Sequence, residues 1–299
     1  MIQSRRSFIK KSGLAVAGLS LASSKAFSFS NSKTLAIQLY SVRDEMKANP
    51  LQTLQQIAKI GYKYVEHANY VERKFYGFTA KEFKKILTDL DLKMPSGHTV
   101  LNLKQHWDES KNDFTDLWKY LVEDAAVVGQ EYVISPSFVS NDFPTLDSLK
   151  HLFDVFNKSG ELCKKSGMKF GYHNHDFEFS RKIGDKTLYD LILENTDSRL
   201  VAQQLDTGNL FNGGAKAFDI VKKYPDRFEL LHVKDEIETK NDKEKYESTV
   251  LGTGVAQLKD VLKNSTATKI FVVEQEAYQG KAPIVCAKED FEIMKSWGF

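Results

Sequence analysis

Between residues 34 and 276, short β-branched or aromatic runs alternate eight times with longer segments of helical period. Parallel strands need a long return connection, which a helix supplies, so this alternation folds into a parallel sheet with crossover helices. The strand candidates are TLAIQLYS (34–41), YKYVEHA (62–68), KMPSGHTV (93–100), EYVISPS (131–137), MKFGYHNH (168–175), RLVAQQLD (199–206), FELLHVKD (228–235) and KIFVVEQE (269–276). Helix candidates lie between them, for example 114–129 and 149–167. In the second, Leu149, Leu152, Phe153, Phe156, Gly160 and Cys163 recur at steps of three and four and make one apolar face. Gly61, Gly129 and Gly167 each close a helix candidate just before a strand, where a left-handed residue is wanted.

The segment before the first cycle has a basic start, an apolar run from Leu14 to Leu21 and a small-residue end. That is the pattern of an export leader, assigned to residues 1–26, and Ser4-Arg5-Arg6-Ser7-Phe8-Ile9-Lys10 resembles the twin-arginine consensus. The apolar run falls short of the roughly 20 residues that span a bilayer. A periplasmic or otherwise exported protein, soluble after leader removal, is the expectation. About 270 residues remain, 27–299, the usual size of a single (β/α)8 TIM barrel, an α/β fold with eight parallel strands. The leader holds five of the 42 basic residues and none of the 40 acidic ones, so the remainder is slightly acidic and unsuited to nucleic acid. Cys163 and Cys286, in a helix-like and a loop-like segment, are two cysteines that could pair but form no disulfide framework. The charged stretch 236–248 has no apolar period and reads as a solvated loop after the seventh strand.

In a (β/α)8 barrel the site lies at the carboxyl ends of the strands. Here those ends carry Gln38, Glu66 with His67, His98, Ser135, His173 with His175, Asp206, His232 with Lys234, and Glu274 with Glu276. Residues two apart on a strand face the same way, so His173 and His175 share a face, as do His232 and Lys234, and Glu274 and Glu276. A single strand-end histidine is more often a hydrogen-bonded polar residue than a ligand, and Asp206 in QLDTGN has the competing role of a turn cap. Four such residues at one height on consecutive strands, His173, Asp206, His232 and Glu274, instead point to a divalent metal. Two imidazoles and two carboxylates suit Mn, Zn, Co or Fe better than Mg.

At these positions the chain resembles the xylose isomerase-like barrel superfamily, in particular its sugar phosphate isomerase/epimerase branch. The resemblance runs from AIQLYSVR through GYKYVEHA, SGHTVL, YHNH, QLDTGN, LLHVKD and LGTG to VVEQE. It implies a metal held by Glu, Asp, His and Glu from the fifth to eighth strands, with Asp206, His232 and Glu274 in three of those places. At the first, relatives often read Leu-Glu-Asn and this chain reads Tyr172-His173-Asn174, so His173 stands for a carboxylate, with His175 as the neighbour that could replace it. The family's ketose epimerases pass a proton between two metal-bound glutamates on opposite faces of the sugar. An imidazole whose lone pair is on a metal cannot serve as one of them, so the base must be another group.

The expected function is a metal-dependent sugar isomerase or epimerase acting on a keto-sugar or related polyol through an enediolate. A lyase or dehydratase on a keto-sugar or keto-glycoside is the alternative, and a non-catalytic periplasmic sugar-binding barrel the alternative of another class. A metal-dependent nuclease or phosphatase of the same superfamily is disfavoured by the charge and the leader. Glu276 leads the base candidates, ahead of Glu178, His175, Glu66 and Lys234, and Glu274 shares the catalytic assignment. His98, Lys234 and His175 are expected on substrate hydroxyls or as the acid, and Gln38, Glu66, His175 and Glu178 as substrate-binding. Gly252-Thr253-Gly254 is a weak candidate for a small anion-binding turn. The partner is a small carbohydrate, with no nucleic acid and no stable membrane span, and a homo-oligomer is left open.

Overall fold

A computed structural model of the chain describes residues 33–138, 145–239 and 244–299. Eight parallel strands close into a barrel: β1 Thr34–Gln38, β2 Tyr64–His67, β3 Lys93–His98, β4 Tyr132–Ser135, β5 Lys169–His173, β6 Val201–Asp206, β7 Phe228–Val233 and β8 Ile270–Val273. Each strand hydrogen-bonds to its neighbours in chain order, and β8 returns to β1 with Ala36 beside Val272. All eight lie inside the eight runs read from the sequence. The crossover helices are α1 Pro50–Ile60, α2 Ala80–Asp89, α3 Asp116–Val128, α4 Leu146–Lys165, α5 Leu188–Asn195, α6 Ala217–Lys223, α7 Leu258–Asn264 and α8 Pro283–Ser296. The structure is therefore a (β/α)8 TIM barrel.

Strand alternation explains how the barrel carries its site. Residues facing outward, such as Ile37, Val65, Phe170, Leu205, Leu231 and Phe271, are fully buried under the helices. Facing inward, Tyr132, Leu230 and Ile270 fill the lower part, with Ala36, Ile134, Ala202 and Val272 among the same cluster. Continuing up the same faces by steps of two, the interior becomes Gln38, Glu66, His98, His173, Gln204, Asp206, His232 and Glu274. A barrel interior that changes from hydrocarbon to imidazole and carboxylate demands partners for every polar atom, because unpaired burial is costly. Gly61 shows why a glycine ends α1: its φ is +125°, and the Phe291 ring of α8 lies 2.7 Å from where a Cβ would sit.

Three readings of the sequence are corrected. Much of 236–248 is not solvated loop but hairpin, Asp235–Glu238 paired antiparallel with Tyr246–Thr249, and Glu236 and Ser248 are buried. Its inward face meets a polar site instead of an apolar core, so it leaves no hydrophobic period to read. The turn at 252–254 does bind an anion, but that anion is the chain's own: Asp235 accepts the N–H groups of Gly252, Gly254 and Ala256 at 2.8, 3.0 and 3.0 Å. Cys163 and Cys286 are both free and buried, and Cys286 belongs to α8, not a loop. The expected leader, 1–26, lies outside the described residues. Among the described residues no helix is long and apolar enough to cross a membrane.

Asp290 ties α8 to the loop after that hairpin. It is buried, accepts the Leu251 N–H at 2.9 Å, and keeps an unpartnered second oxygen. Burial pushes its carboxyl from 3.8 up to about 7. The folded chain then holds this proton more tightly than the unfolded chain, so the contribution is fully present below about pH 4 and is lost as pH rises through about 7. Asp290→Asn keeps the acceptor for Leu251 and removes the charge. It is expected to be more stable than wild type at pH 8 by roughly 2–4 kcal/mol, and about equal at pH 4. Thermal melts giving both proteins the same pH slope would contradict this.

Candidate metal centre and active site

Asp206 sets the geometry. Its Oδ1 accepts the N–H groups of Gly208 and Asn209, both at 2.8 Å, which is the capping role expected of an Asp before a turn. Its Oδ2 is free of hydrogen bonds although the residue is fully buried. That oxygen lies 3.8 Å from His173 Nε2 and 3.8 Å from His232 Nδ1. Glu274 Oε2 is 3.1 Å from the same His232 Nδ1. Ligand atoms of His173, Asp206, His232 and Glu274 thus all lie within 4.8 Å of one another, and all four residues are buried. A buried carboxylate oxygen with no donor, facing two imidazoles and a second carboxylate, is what a divalent cation would complete.

The ring orientations fit that role. His173 Nδ1 is 3.0 Å from Gln204 Oε1, an acceptor, so Nδ1 carries the proton and Nε2 presents its lone pair to the cluster. Burial, with His232, His98 and His175 close by, holds His173 far below the ordinary imidazole range, so it is neutral. His232 is set by Glu66, whose Oε1 is 2.6 Å from His232 Nε2, leaving Nδ1 toward the cluster. Burial opposes charge on His232, but Glu274 and Glu66 outweigh it and raise the ring to about 10, so a cation would have to displace the Nδ1 proton to take that lone pair.

Glu66 also accepts from Gln38 and Gln204, each at 2.8 Å, from the Ser96 hydroxyl, and stands 3.0 Å from His98 Nε2. Four hydrogen-bond partners and the adjacent His98 ring on one buried carboxylate make it the hub beneath the cluster, holding His232 and, through Gln204, His173. Outer-shell carboxylates of this kind are typically worth 10–100-fold in metal affinity. Glu66→Gln is therefore expected to weaken binding of Zn or Mn about 10–100-fold in calorimetric titration. Unchanged affinity would show that Glu66 supports only the fold.

Above the cluster two cavities meet. The larger, ≈ 480 Å³, is walled by Tyr40, Tyr70, Val71, Pro136, His98, His173 and Glu274. The second, ≈ 360 Å³ and more polar, is walled by Arg43, Asn209, Asn212, Lys234, Glu236, Tyr246 and Ser248. His175 and Glu276 line both. Lys234 forms an ion pair with Glu276, donates to Asn209 Oδ1 at 2.8 Å, and lies 3.5 Å from Glu274. Burial opposes its charge, yet Glu274, Asp206 and Glu276 hold it well above the usual lysine range. Burial and Lys234 keep His175 neutral. The Ser248 hydroxyl accepts the N–H groups of Glu276 and Ala277, so the hairpin also fixes the Glu276 backbone.

Comparison with known proteins places this arrangement. Residues 54–297 match the family model described as xylose isomerase-like TIM barrel. The chain belongs to that family. Among curated relatives of this xylose isomerase-like barrel, an inosose dehydratase of Clostridium perfringens is 26% identical over 194 residues, 62% of this chain and 63% of the relative. The match thus spans less than two thirds of that protein's length. Two solved structures described as sugar phosphate isomerase/epimerase from Parabacteroides distasonis superpose at TM-scores 0.75 and 0.73, with 25% and 27% identity. They cover 88% of this chain, and 94% and 98% of theirs.

The xylose isomerase-like barrel brings together most, but not all, of the residues its sequence singled out. His173, Asp206, His232 and Glu274 converge, and His98, His175, Lys234 and Glu276 line the cavities above. Gln38 and Glu66, expected on substrate, lie beneath the cluster with their polar atoms occupied and line neither cavity. Glu178 also lines neither: it accepts from the Tyr172 hydroxyl and, at 2.9 Å, from the His175 N–H, and so braces the β5 end. His67 faces out of the barrel and packs edge-on to Phe75. Gln204 and Glu236 were missed. Each lies two residues from a singled-out position, Asp206 or Lys234, and the strand period alone would have found them.

Proposed function

We propose that this barrel is a divalent-metal-dependent enzyme that removes the proton next to the carbonyl of a polyhydroxylated ketone, a keto-sugar or a cyclic keto-polyol. The observation that carries the reading is the unpartnered Asp206 Oδ2 facing His173, His232 and Glu274 directly below a cavity that His98, His175 and Glu276 also line. His173, Asp206, His232 and Glu274 would hold the cation, whose Lewis acidity polarises a carbonyl and acidifies the adjacent C–H. Glu276, on the wall shared by both cavities, takes that proton, and Lys234 holds it in place. His98 and His175 hydrogen-bond substrate hydroxyls. The proposed exported location rests on the leader sequence alone.

Removal of this proton begins both isomerisation or epimerisation and β-elimination. One observation favours elimination as the second reading. The His173 Nδ1 proton is committed to Gln204, and Nε2 faces the cluster, so β5 supplies a ligand and no base. Epimerisation needs proton-transfer groups on both faces of the carbon; elimination needs one base and one acid. The inosose dehydratase relative is in keeping with this.

The test combines elemental analysis with turnover. Purified protein is expected to hold stoichiometric Mn, Zn, Co or Fe and to convert ketohexoses or inososes, with turnover lost on chelation and restored by the metal. Saturable sugar binding that survives chelation without turnover would identify a non-catalytic binding barrel instead.

A further inference from the structure

Glu236 has no role in the scheme above, and its surroundings are unlike those of a structural carboxylate. It is 2% exposed, it lines the ≈ 360 Å³ polar cavity, and its Oε2 has no hydrogen-bond partner. Its neighbour Asp235 shows what a structural carboxylate looks like here, with both oxygens occupied by backbone N–H groups. His232, Lys234 and Glu236 follow the strand period, so Glu236 continues the face of the cluster into the hairpin. Room for it comes from Gly208, where a Cβ would lie 2.7 Å from both Glu236 Oε1 and Lys234 Cγ. Burial pushes the Glu236 carboxyl up to about 8 against the pull of Lys234, so near neutrality it carries a proton.

We propose that the polar cavity receives an oxygen leaving group on the carbon β to the substrate carbonyl, and that Glu236 is the acid that protonates it. This rests on the proton abstraction proposed above and assigns its outcome. Glu276 takes the proton on the α carbon, and the C–H electron pair becomes the new C=C bond as the β C–O bond breaks. The departing oxygen keeps the pair of that bond and takes the Glu236 proton. One proton is removed and one supplied, so the substrate is neither oxidised nor reduced. The products are an unsaturated ketone and either water, from a β-hydroxyl, or an alcohol, from a β-alkoxyl.

The experiment measures, for wild type and Glu236→Gln, leaving-group release per α-proton exchanged in deuterated water. One substrate is an inosose with a β-hydroxyl, the other a keto-glycoside with a β-alkoxyl. The ratio is expected to fall at least 100-fold in the variant, the order general acids contribute. Glu236→Asp, which keeps an acid in the cavity, is expected to recover part of it, with metal content and melting temperature showing that each variant is folded. The substrate with the larger wild-type ratio tells hydroxyl from alkoxyl. An unchanged ratio in Glu236→Gln, or wild-type exchange with no release from either substrate, overturns this proposal alone. Absence of both exchange and release in the wild type overturns the reading beneath it as well.

Discussion

Asp206→Asn is expected to lose metal and catalysis together while keeping its fold. The asparagine Oδ1 still accepts the Gly208 and Asn209 N–H groups, so the turn after β6 is preserved. What changes is the second oxygen, 3.8 Å from both His173 Nε2 and His232 Nδ1, which becomes an amide NH₂ with no lone pair to give a cation. Outer-shell partners already cost 10–100-fold in affinity, so loss of a direct ligand is expected to cost about 100-fold or more. Calorimetric titration with Zn or Mn checks the affinity and α-proton exchange checks the chemistry. Wild-type affinity in this variant would mean that the ligand set is wrong.

The second large effect is expected at Glu276. Glu274 shares its strand face, but the 3.1 Å contact with His232 Nδ1 commits Glu274 to the cluster. Glu276 stands one step further out, lines both cavities and is held by Lys234. Glu276→Gln preserves shape and removes basicity, and α-proton exchange is expected to fall about 10²–10⁴-fold. Metal content is expected to stay at the wild-type level, which separates this variant from Asp206→Asn. Exchange at the wild-type rate would transfer the role of base to His175, the other titratable side chain that borders both cavities.

The barrel was legible in the sequence because eight strand-helix cycles leave one economical closure, and because hydrophobic period survives wherever a face meets hydrocarbon. The candidate ligand cluster was legible for a related reason: ionisable groups at matching heights on adjacent strands have few purposes other than one another or a cation. Depth was harder to read. Gln38, Glu66, Asp206 and Glu274 look alike as strand-end polar residues, yet the first two lie beneath the cluster and the last two form it. The offset between neighbouring strands decides this, as in the irregular pairing where Glu66 stands beside Ser96. Glu178 was misplaced because the chain turns after β5 and buries it against Tyr172, a contact with no sequence period. Gln204 is uncharged and was passed over, although its one amide orients His173 and braces Glu66. Glu236 was hidden inside a run of charge whose alternation carries a hairpin.

The central claim is that a cation held by His173, Asp206, His232 and Glu274 makes the proton beside a ketone removable. The most direct measurement is incorporation of deuterium at that carbon, followed by NMR with ketohexoses and inososes, using protein stripped of metal and then reloaded. The account predicts exchange only in the loaded protein, with the rate rising in step with bound metal. Equal exchange by stripped and loaded protein, or none by a protein shown to hold metal and bind the sugar, would contradict it.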